Sequence, residues 1–259
     1  MTLVKGVTMS KNFYGWRADN PDQRDDHFQV HFLQLMTLPS LVDLRALCPA
    51  IYDQGQLGSC TANGIAGCLE FDQIKQKEQN FTPSRLFIYY NERVMENSVD
   101  SDAGANIRDG IKSVAKQGAP DEKEWPYNIN KFAVKPTTNA YADALNHKSI
   151  LYQRVTQKLS QMKVCLSQGY PFTFGFTVYE SFESDQVAQT GVVTMPSHNE
   201  RVLGGHCVMA VGYDDSQNAF ICRNSWGTQW GMSGYFTMPY MYLVSRGLSS
   251  DFWVIKTVQ

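Results

Sequence analysis

Residues 54–70 read QGQLGSCTANGIAGCLE. A turn carrying Gly55 and Gly58 runs into Cys60, and from Thr61 to Lys77 the apolar residues Ala62, Ile65, Ala66, Leu69 and then Phe71 or Ile74 recur at helical spacing. The pattern predicts a helix whose first turn holds the cysteine. Unpaired amides and the macrodipole make a helix N-terminus locally positive. That field favours a thiolate and lowers a cysteine pKa from about 8.5 towards roughly 3.5–7.5 where a cation is also near. A small apolar side chain buried at a helix start explains the residue equally well. The choice between the two rests on whether the chain supplies a partner.

The 259 residues are 43% hydrophobic and 19% charged, with a net charge of −2. This is the balance of an ordinary globular enzyme or binding protein, and nothing in it would draw nucleic acid or an anionic membrane. No apolar run reaches the roughly 18 residues of a membrane-spanning helix. The opening MTLVKGVTMSKNFYGW lacks the continuous apolar segment of a secretory signal. The six cysteines, Cys48, Cys60, Cys68, Cys165, Cys207 and Cys222, form no CxxC pair, so neither a zinc site nor any other metal is expected. Cys60 and Cys68, on one helix, would lie about 12 Å apart by helical rise, too far to bridge. Free thiols are expected, which fits an intracellular or reducing compartment. Secretion of a form whose leader is missing stays open.

Along the chain the character changes twice. Residues 1–37 form an arm rich in charge, Pro and Asn that nevertheless carries Tyr14, Trp16 and Phe28, large anchors that a free tail rarely keeps. From about 50 to 150 the pattern is helical. TPSRLFIYYNERVMEN (82–97) predicts a helix capped by Thr82 with Pro83 at its first position, and NIRDGIKSVAKQG (106–118) one that closes on Gly118. TNAYADALNHKSI (138–150) is partly helical. From about 151 to 259 one further helix, over 156–169, precedes short β-rich runs, among them YPFTFGFTVYESF, GVVTM, HCVMAVGYD, AFICRNSW and SGYFTMPY. The expectation is an α+β chain of two lobes with a site in the cleft between them.

The β half supplies a partner for the cysteine. GGHCVMAVGYDDSQNAFICRNSWG (204–227) reads as a hairpin turning at 214–217. If 213 faces 217, His206 lies opposite Asn224. An Asn oxygen at cross-strand distance can fix the imidazole tautomer and leave the other ring nitrogen free. A lone histidine is more often structural, as His27, His31, His147 and His198 are read here. His206 is set apart by that Asn, by Gly204 and Gly205 before it, and by nearby aromatics.

These residues together resemble the papain family of cysteine peptidases, the cathepsin-like group. QGQLGSC resembles the family's Q-G-x-C-G-S-C, GGHCVMAVGY the block around its histidine, and CRNSWGTQWGMSGYF its N-S-W-G-x-x-W-G-x-x-G-Y. LPSLVDLR (38–45) resembles the start of the family domain, and GIKSVAKQGAPDEKEWPYN its G-x-x-x-E-x-x-Y-P-Y stretch. The resemblance runs collinearly over 38–259, and the arm with YDQGQLGSCTA is most similar to bacterial or viral members.

The resemblance implies a papain-like fold: a helical left lobe, an antiparallel β-barrel-like right lobe and an active-site cleft between them. It implies a cysteine endopeptidase working through a thioester. Cys60 would be the nucleophile, His206 the base and then the acid, Asn224 its orienting partner, and Gln54 with the Cys60 amide the oxyanion hole. Trp226 would shield the Asn–His bond. Gly104, Gly58, Ser59, Gly205 and Trp226 would line the substrate, a peptide or protein, with no cofactor, nucleic acid or membrane involved and the chain a monomer.

The departures are Thr61 in place of the family's usual Trp, Leu57 in place of a half-cystine, and an arm too short for the usual helical prosegment. The alternatives are an acyl transferase or ligase on the same scaffold, and a non-catalytic peptide-binding module. The arm is read either as a cover over the cleft or as a purely structural strap.

Overall fold

The computed structural model describes residues 13–78, 80–148 and 150–257. The reading of the first twelve residues as lacking a secretory signal lies outside these. In chain order the elements are β1 (Trp16–Arg17), α1 (Phe32–Met36), β2 (Leu41–Asp43), α2 (Cys60–Gln76), α3 (Arg85–Met95), β3 (Ala105–Asn106), α4 (Ile107–Gln117), α5 (Thr138–Ala144) and β4 (Ile150–Arg154). They continue with α6 (Leu159–Ser167), β5 (Phe172–Tyr179), α7 (Asp185–Thr190), β6 (Val202–Asp214), β7 (Ala219–Arg223), β8 (Tyr235–Pro239), α8 (Tyr240–Val244) and β9 (Ser249–Thr257). A sheet runs β4-β9-β5-β6-β7-β8 with β2 also on β6, and every pairing in it is antiparallel. Helices first and an antiparallel sheet second give the α+β fold the sequence patterns imply.

Both faces of the sheet are covered, which is why its strands read as nearly continuous apolar runs. Cys207, Met209, Val211, Ile221, Trp253 and Ile255 face a core shared with α2, α3 and α4. Phe172, Phe174, Phe176, Val208, Ala210, Phe220 and Phe252 face a second core closed by α6 and α8. Helix α2 lies against the sheet and is buried from Cys60 to Gln73, so it shows no polar stripe. Its approach is close: a Cβ on Gly64 would stand 2.6 Å from Thr173 Oγ1 and 3.1 Å from Cys207 Sγ.

Three local expectations shift. Helix α3 is capped by Ser84, whose hydroxyl accepts from Phe87 N–H at 3.2 Å, and not by Thr82. Pro83 instead bridges to Asp121, so the chain is still extended there. GVVTM contributes a single bridge, Val192 to Thr237, because Gly191 ends α7 in the left-handed conformation. The 204–227 hairpin turns between Asp214 and Ala219, so Tyr213 faces Phe220 and not Gln217, and past an irregularity between Ala210 and Gly212 Met209 faces Arg223.

The arm is docked along both halves. Asp25 Oδ2 accepts from Arg108 of α4 at 2.5 Å and from Arg154 of β4 at 3.0 Å. Asp19 Oδ2 accepts from Arg154 at 3.0 Å and from the Trp253 indole at 2.9 Å. Phe28 is 5% exposed and packs in the second core.

Candidate active site

The segment 52–55 is zipped to 225–227. Gln54 N–H donates to Ser225 O at 2.8 Å and Gly227 N–H to Tyr52 O at 3.0 Å. The Ser225 hydroxyl donates to Gln54 Oε1 at 2.6 Å, which sets the amide's orientation. Gln54 Nε2 then donates to Leu57 O at 2.9 Å and to Phe13 O of the arm at 3.2 Å. Gly58 N–H donates to both oxygens of Asp102 at 3.0 Å, and the Tyr89 hydroxyl donates to the same carboxylate. That link draws the loop ending at Gly104 (φ +67°) alongside the turn before Cys60.

Gly15 threads between these two stretches. A Cβ on Gly15 would stand 1.7 Å from Gly58 O, and one on Gly104 2.0 Å from Gly15 O. Ala105 N–H donates to Gly15 O at 2.7 Å, and β1 continues parallel to β3.

Cys60 opens α2 and is fully buried. His206 sits in β6 opposite Phe176. Its Nε2 lies 2.8 Å from Asn224 Oδ1, although the two residues are not ladder partners in the shifted register. Asn224 Oδ1 also accepts Ser225 N–H at 2.8 Å, so this atom is the amide oxygen and His206 Nε2 carries the proton. Nδ1 is therefore the lone-pair nitrogen, buried and without a hydrogen bond. Trp226 stacks on the imidazole (centroids 4.8 Å, 26°), and Phe176 meets it edge-on at 5.7 Å. Trp230, half-buried, packs on Trp226, Phe182 and Phe236 against the second core.

Gly205 lies beside His206, under Trp16 of the arm, where a Cβ would stand 2.7 Å from the indole. The Ser59 hydroxyl is taken up by Tyr127 (2.5 Å) and Asn63 (3.1 Å), so its side chain serves the helical half.

Residues 38–250 match the family model described as papain family cysteine protease. The chain belongs to that family. A peptidase C1-like protein of Acanthamoeba polyphaga mimivirus is 44% identical over 97% of this chain and 88% of its own length. The crystal structure of xylellain, a cysteine protease from Xylella fastidiosa, superposes with a TM-score of 0.90 at 43% identity, covering all of both chains. Cathepsin B-like CP3 of Giardia intestinalis is 30% identical over 74% of this chain and 65% of its own. This chain is thus a papain-like peptidase, a hydrolase.

In this papain-family peptidase burial reverses the electrostatics expected of an isolated helix N-terminus. Burial pushes the Cys60 thiol up to about 12, with backbone amides of Cys207 and Gly15 opposing it only in part. Burial pulls His206 down to about 4, while the Asn224 bond works against it. Both groups are neutral near pH 7, because desolvation penalises each charged form more than the dipole rewards it.

The departure at Thr61 has a local reason in the peptidase. Its hydroxyl donates to Glu92 Oε1 at 2.6 Å in the fully buried interior. Burial lifts the Glu92 carboxyl to about 8, so it holds its proton at neutral pH. The neighbouring Gly110 leaves room for it, since a Cβ there would stand 2.4 Å from Glu92 Oε2.

Sequence reasoning missed Asp102 and Asp251. Asp102 lies two residues before Gly104, but its role depends on a loop contact across the fold. Asp251 has a left-handed backbone (φ +59°) that no motif marks.

Proposed function

We propose that the peptidase cleaves peptide bonds through Cys60, His206, Asn224 and Gln54, and that the arm holds this apparatus closed. The observation that carries the reading is the pair of fixed amides. Asn224 commits His206 Nε2 to donation and leaves Nδ1 as base, and Gln54 Nε2 already donates to a main-chain carbonyl, Phe13 O. A substrate carbonyl would take the place of Phe13 O.

With the arm displaced, water returns to the cleft, and the helix field and His206 favour ionisation of Cys60. The thiol proton passes to His206 Nδ1, and the sulfur bonds to the substrate carbonyl carbon. Negative charge moves to the carbonyl oxygen, where Gln54 Nε2 and the Cys60 amide receive it. When the C–N bond breaks, His206 returns the proton to the leaving amine. Water then adds to the thioester, losing a proton to His206, and the acid and free thiol are released. Trp226 over the imidazole keeps solvent from the Asn224 bond and strengthens it.

Asn224→Ala tests this reading. The fold should persist, and kcat should fall about 10- to 100-fold as the imidazole loses its orientation. Steady-state kinetics of the folded variant checks it. Undiminished kcat would remove Asn224 from the mechanism. Product analysis with a competing amine separates hydrolysis from acyl transfer.

A further inference from the structure

Gln54 and the Cys60 amide lie on one turn, and a polar unit of the helical half fastens that turn from behind. Arg85 opens α3 and is 9% exposed. A cation at a helix N-terminus stands against the macrodipole, so the helix itself gives no reason for arginine there. Glu122 offsets the cost, accepting from Arg85 Nε at 2.9 Å and from Nη2 at 2.8 Å. Nη1 is left to donate to Asp53 O at 3.2 Å and to Asn63 Oδ1 at 3.2 Å. The guanidinium also packs over the rings of Tyr127, at 4.1 Å, and Tyr52, at 4.7 Å.

Each of these contacts leads to a peptide plane that aims an oxyanion donor. A peptide unit is planar, so fixing its carbonyl fixes the direction of its N–H. Asp53 O shares a plane with the Gln54 N–H, which donates to Ser225 O at 2.8 Å. Gln54 O, in the next plane, accepts from the Tyr127 hydroxyl at 2.9 Å. Both planes around the Gln54 Cα are thereby held. Ser59 O shares a plane with the Cys60 N–H and accepts from Asn63 Nδ2 at 2.9 Å. Arg85 on the Asn63 oxygen turns the amide nitrogen towards Ser59. Because the Tyr127 proton goes to Gln54 O, the Ser59 hydroxyl donates to Tyr127 at 2.5 Å and accepts from Asn63 Nδ2 at 3.1 Å, which closes the ring of contacts. Gln54, Ser59 and Asn63 are buried, so water does not compete for these bonds.

We propose that Arg85 is a positioning residue for the oxyanion hole. Through Asp53, Asn63 and Tyr127 it holds the Gln54 side chain and the Cys60 amide in the mutual geometry that a developing oxyanion requires, and it acts through these residues without touching substrate. Lysine cannot replace it, because an ammonium lacks the planar fork that meets Glu122, Asp53 and Asn63 at once. The inference rests on reading Gln54 and the Cys60 amide as the oxyanion donors of a peptidase.

The test compares two reactions of Cys60 in the full chain. Peptide cleavage builds charge on a carbonyl oxygen and needs the donors, whereas alkylation by iodoacetamide displaces iodide and needs only the thiolate. Both need the arm displaced, so its cover cancels in their ratio. Arg85→Lys, which keeps the charge beside Glu122, should lower kcat per titrated active site about 10- to 100-fold, with KM and the alkylation rate within about threefold of wild type. Arg85→Ala should lose at least as much. Arg85 lines a cavity of about 660 Å³ together with Glu122 and Tyr127, so a small solute can reach the space its side chain leaves. Ethylguanidine in the medium should therefore raise kcat of Arg85→Ala severalfold and leave wild type unmoved.

Undiminished kcat in both variants, or an alkylation rate that falls in step with kcat, overturns the proposal and makes Arg85 a structural residue. If Arg85→Ala does not fold, the kcat-to-alkylation ratio of Arg85→Lys decides alone. A wild type that is alkylated at Cys60 yet cleaves no peptide sinks the peptidase reading and this inference with it. A cleaving wild type with unimpaired Arg85 variants sinks the inference only.

Discussion

Gly15→Val raises kcat/KM on a short peptide by on the order of 100-fold, while the folded chain loses several degrees of thermal midpoint. The effect follows from one contact. Any Cβ at position 15 would stand 1.7 Å from Gly58 O, a backbone atom held by the turn before Cys60 and by the Gly58–Asp102 bond. Gly58 cannot give way without moving the start of α2, so the arm must lift. If the arm covers the cleft in about 99% of molecules, lifting it raises the competent fraction about 100-fold, because apparent affinity scales with that fraction. The midpoint falls because the bonds of Phe13, Gly15 and Trp16 are lost, although Asp25 and Phe28 can still anchor the rest of the arm. A variant that is folded, no more active and less stable would make the arm a structural strap.

Gln54→Ala should lower kcat by about 10²–10³ with a much smaller change in KM, the loss expected when one preorganised donor is removed from a developing oxyanion. The Gln54 side chain is fully buried, its Oε1 is fixed by Ser225, and its Nε2 points at a carbonyl of the arm. The donor is therefore aimed before substrate arrives and needs no reorganisation. Gln54→Glu, which keeps the shape but replaces the donor with an acceptor, should be no better than alanine. Steady-state kinetics in the Gly15→Val background separates this from any change in arm docking. Equal kcat in the parent and in Gln54→Ala would leave the Cys60 amide as the sole oxyanion donor.

Much of this site could be read in the sequence because its pieces are local. The turn-to-helix transition at Cys60 is carried by glycine and apolar spacing, and the structure starts α2 at Cys60 itself. The nearness of His206 and Asn224 was legible although the hairpin register drawn from the turn was not. The turn pairs Tyr213 with Phe220 and not with Gln217, which displaces the ladder by three residues, and the irregularity near Val211 takes back only one, yet Asn224 lies past the end of β7, where its side chain reaches back to the ring.

What could not be read is what depends on contacts distant in sequence. A helix dipole predicts a lowered thiol pKa, but burial dominates and pushes it up against the backbone amides of Cys207 and Gly15. Tyr14 and Trp16 stood out as anchors by size alone. Their destinations, Tyr14 against His206 and Trp226, and Trp16 over Gly175, exist only once arm and sheet are brought together. Asp251 depends on a bulge, and no composition or period signals one residue of slippage.

The measurement that bears most directly on the closed, neutral pair is the rate of Cys60 alkylation by iodoacetamide against pH, in wild type and in Gly15→Val. A thiol whose folded pKa is raised ionises only as pH climbs toward about 12, and alkylation follows the thiolate fraction. Wild type should react slowly at pH 6–7 and speed up steadily through alkaline pH. Gly15→Val should already react fast near pH 6, with its inflection well below the ordinary thiol value, because the freed Cys60 regains solvent, the helix field and His206. Matching profiles for the two proteins, both fast at pH 6 or both confined to alkaline pH, would contradict the account.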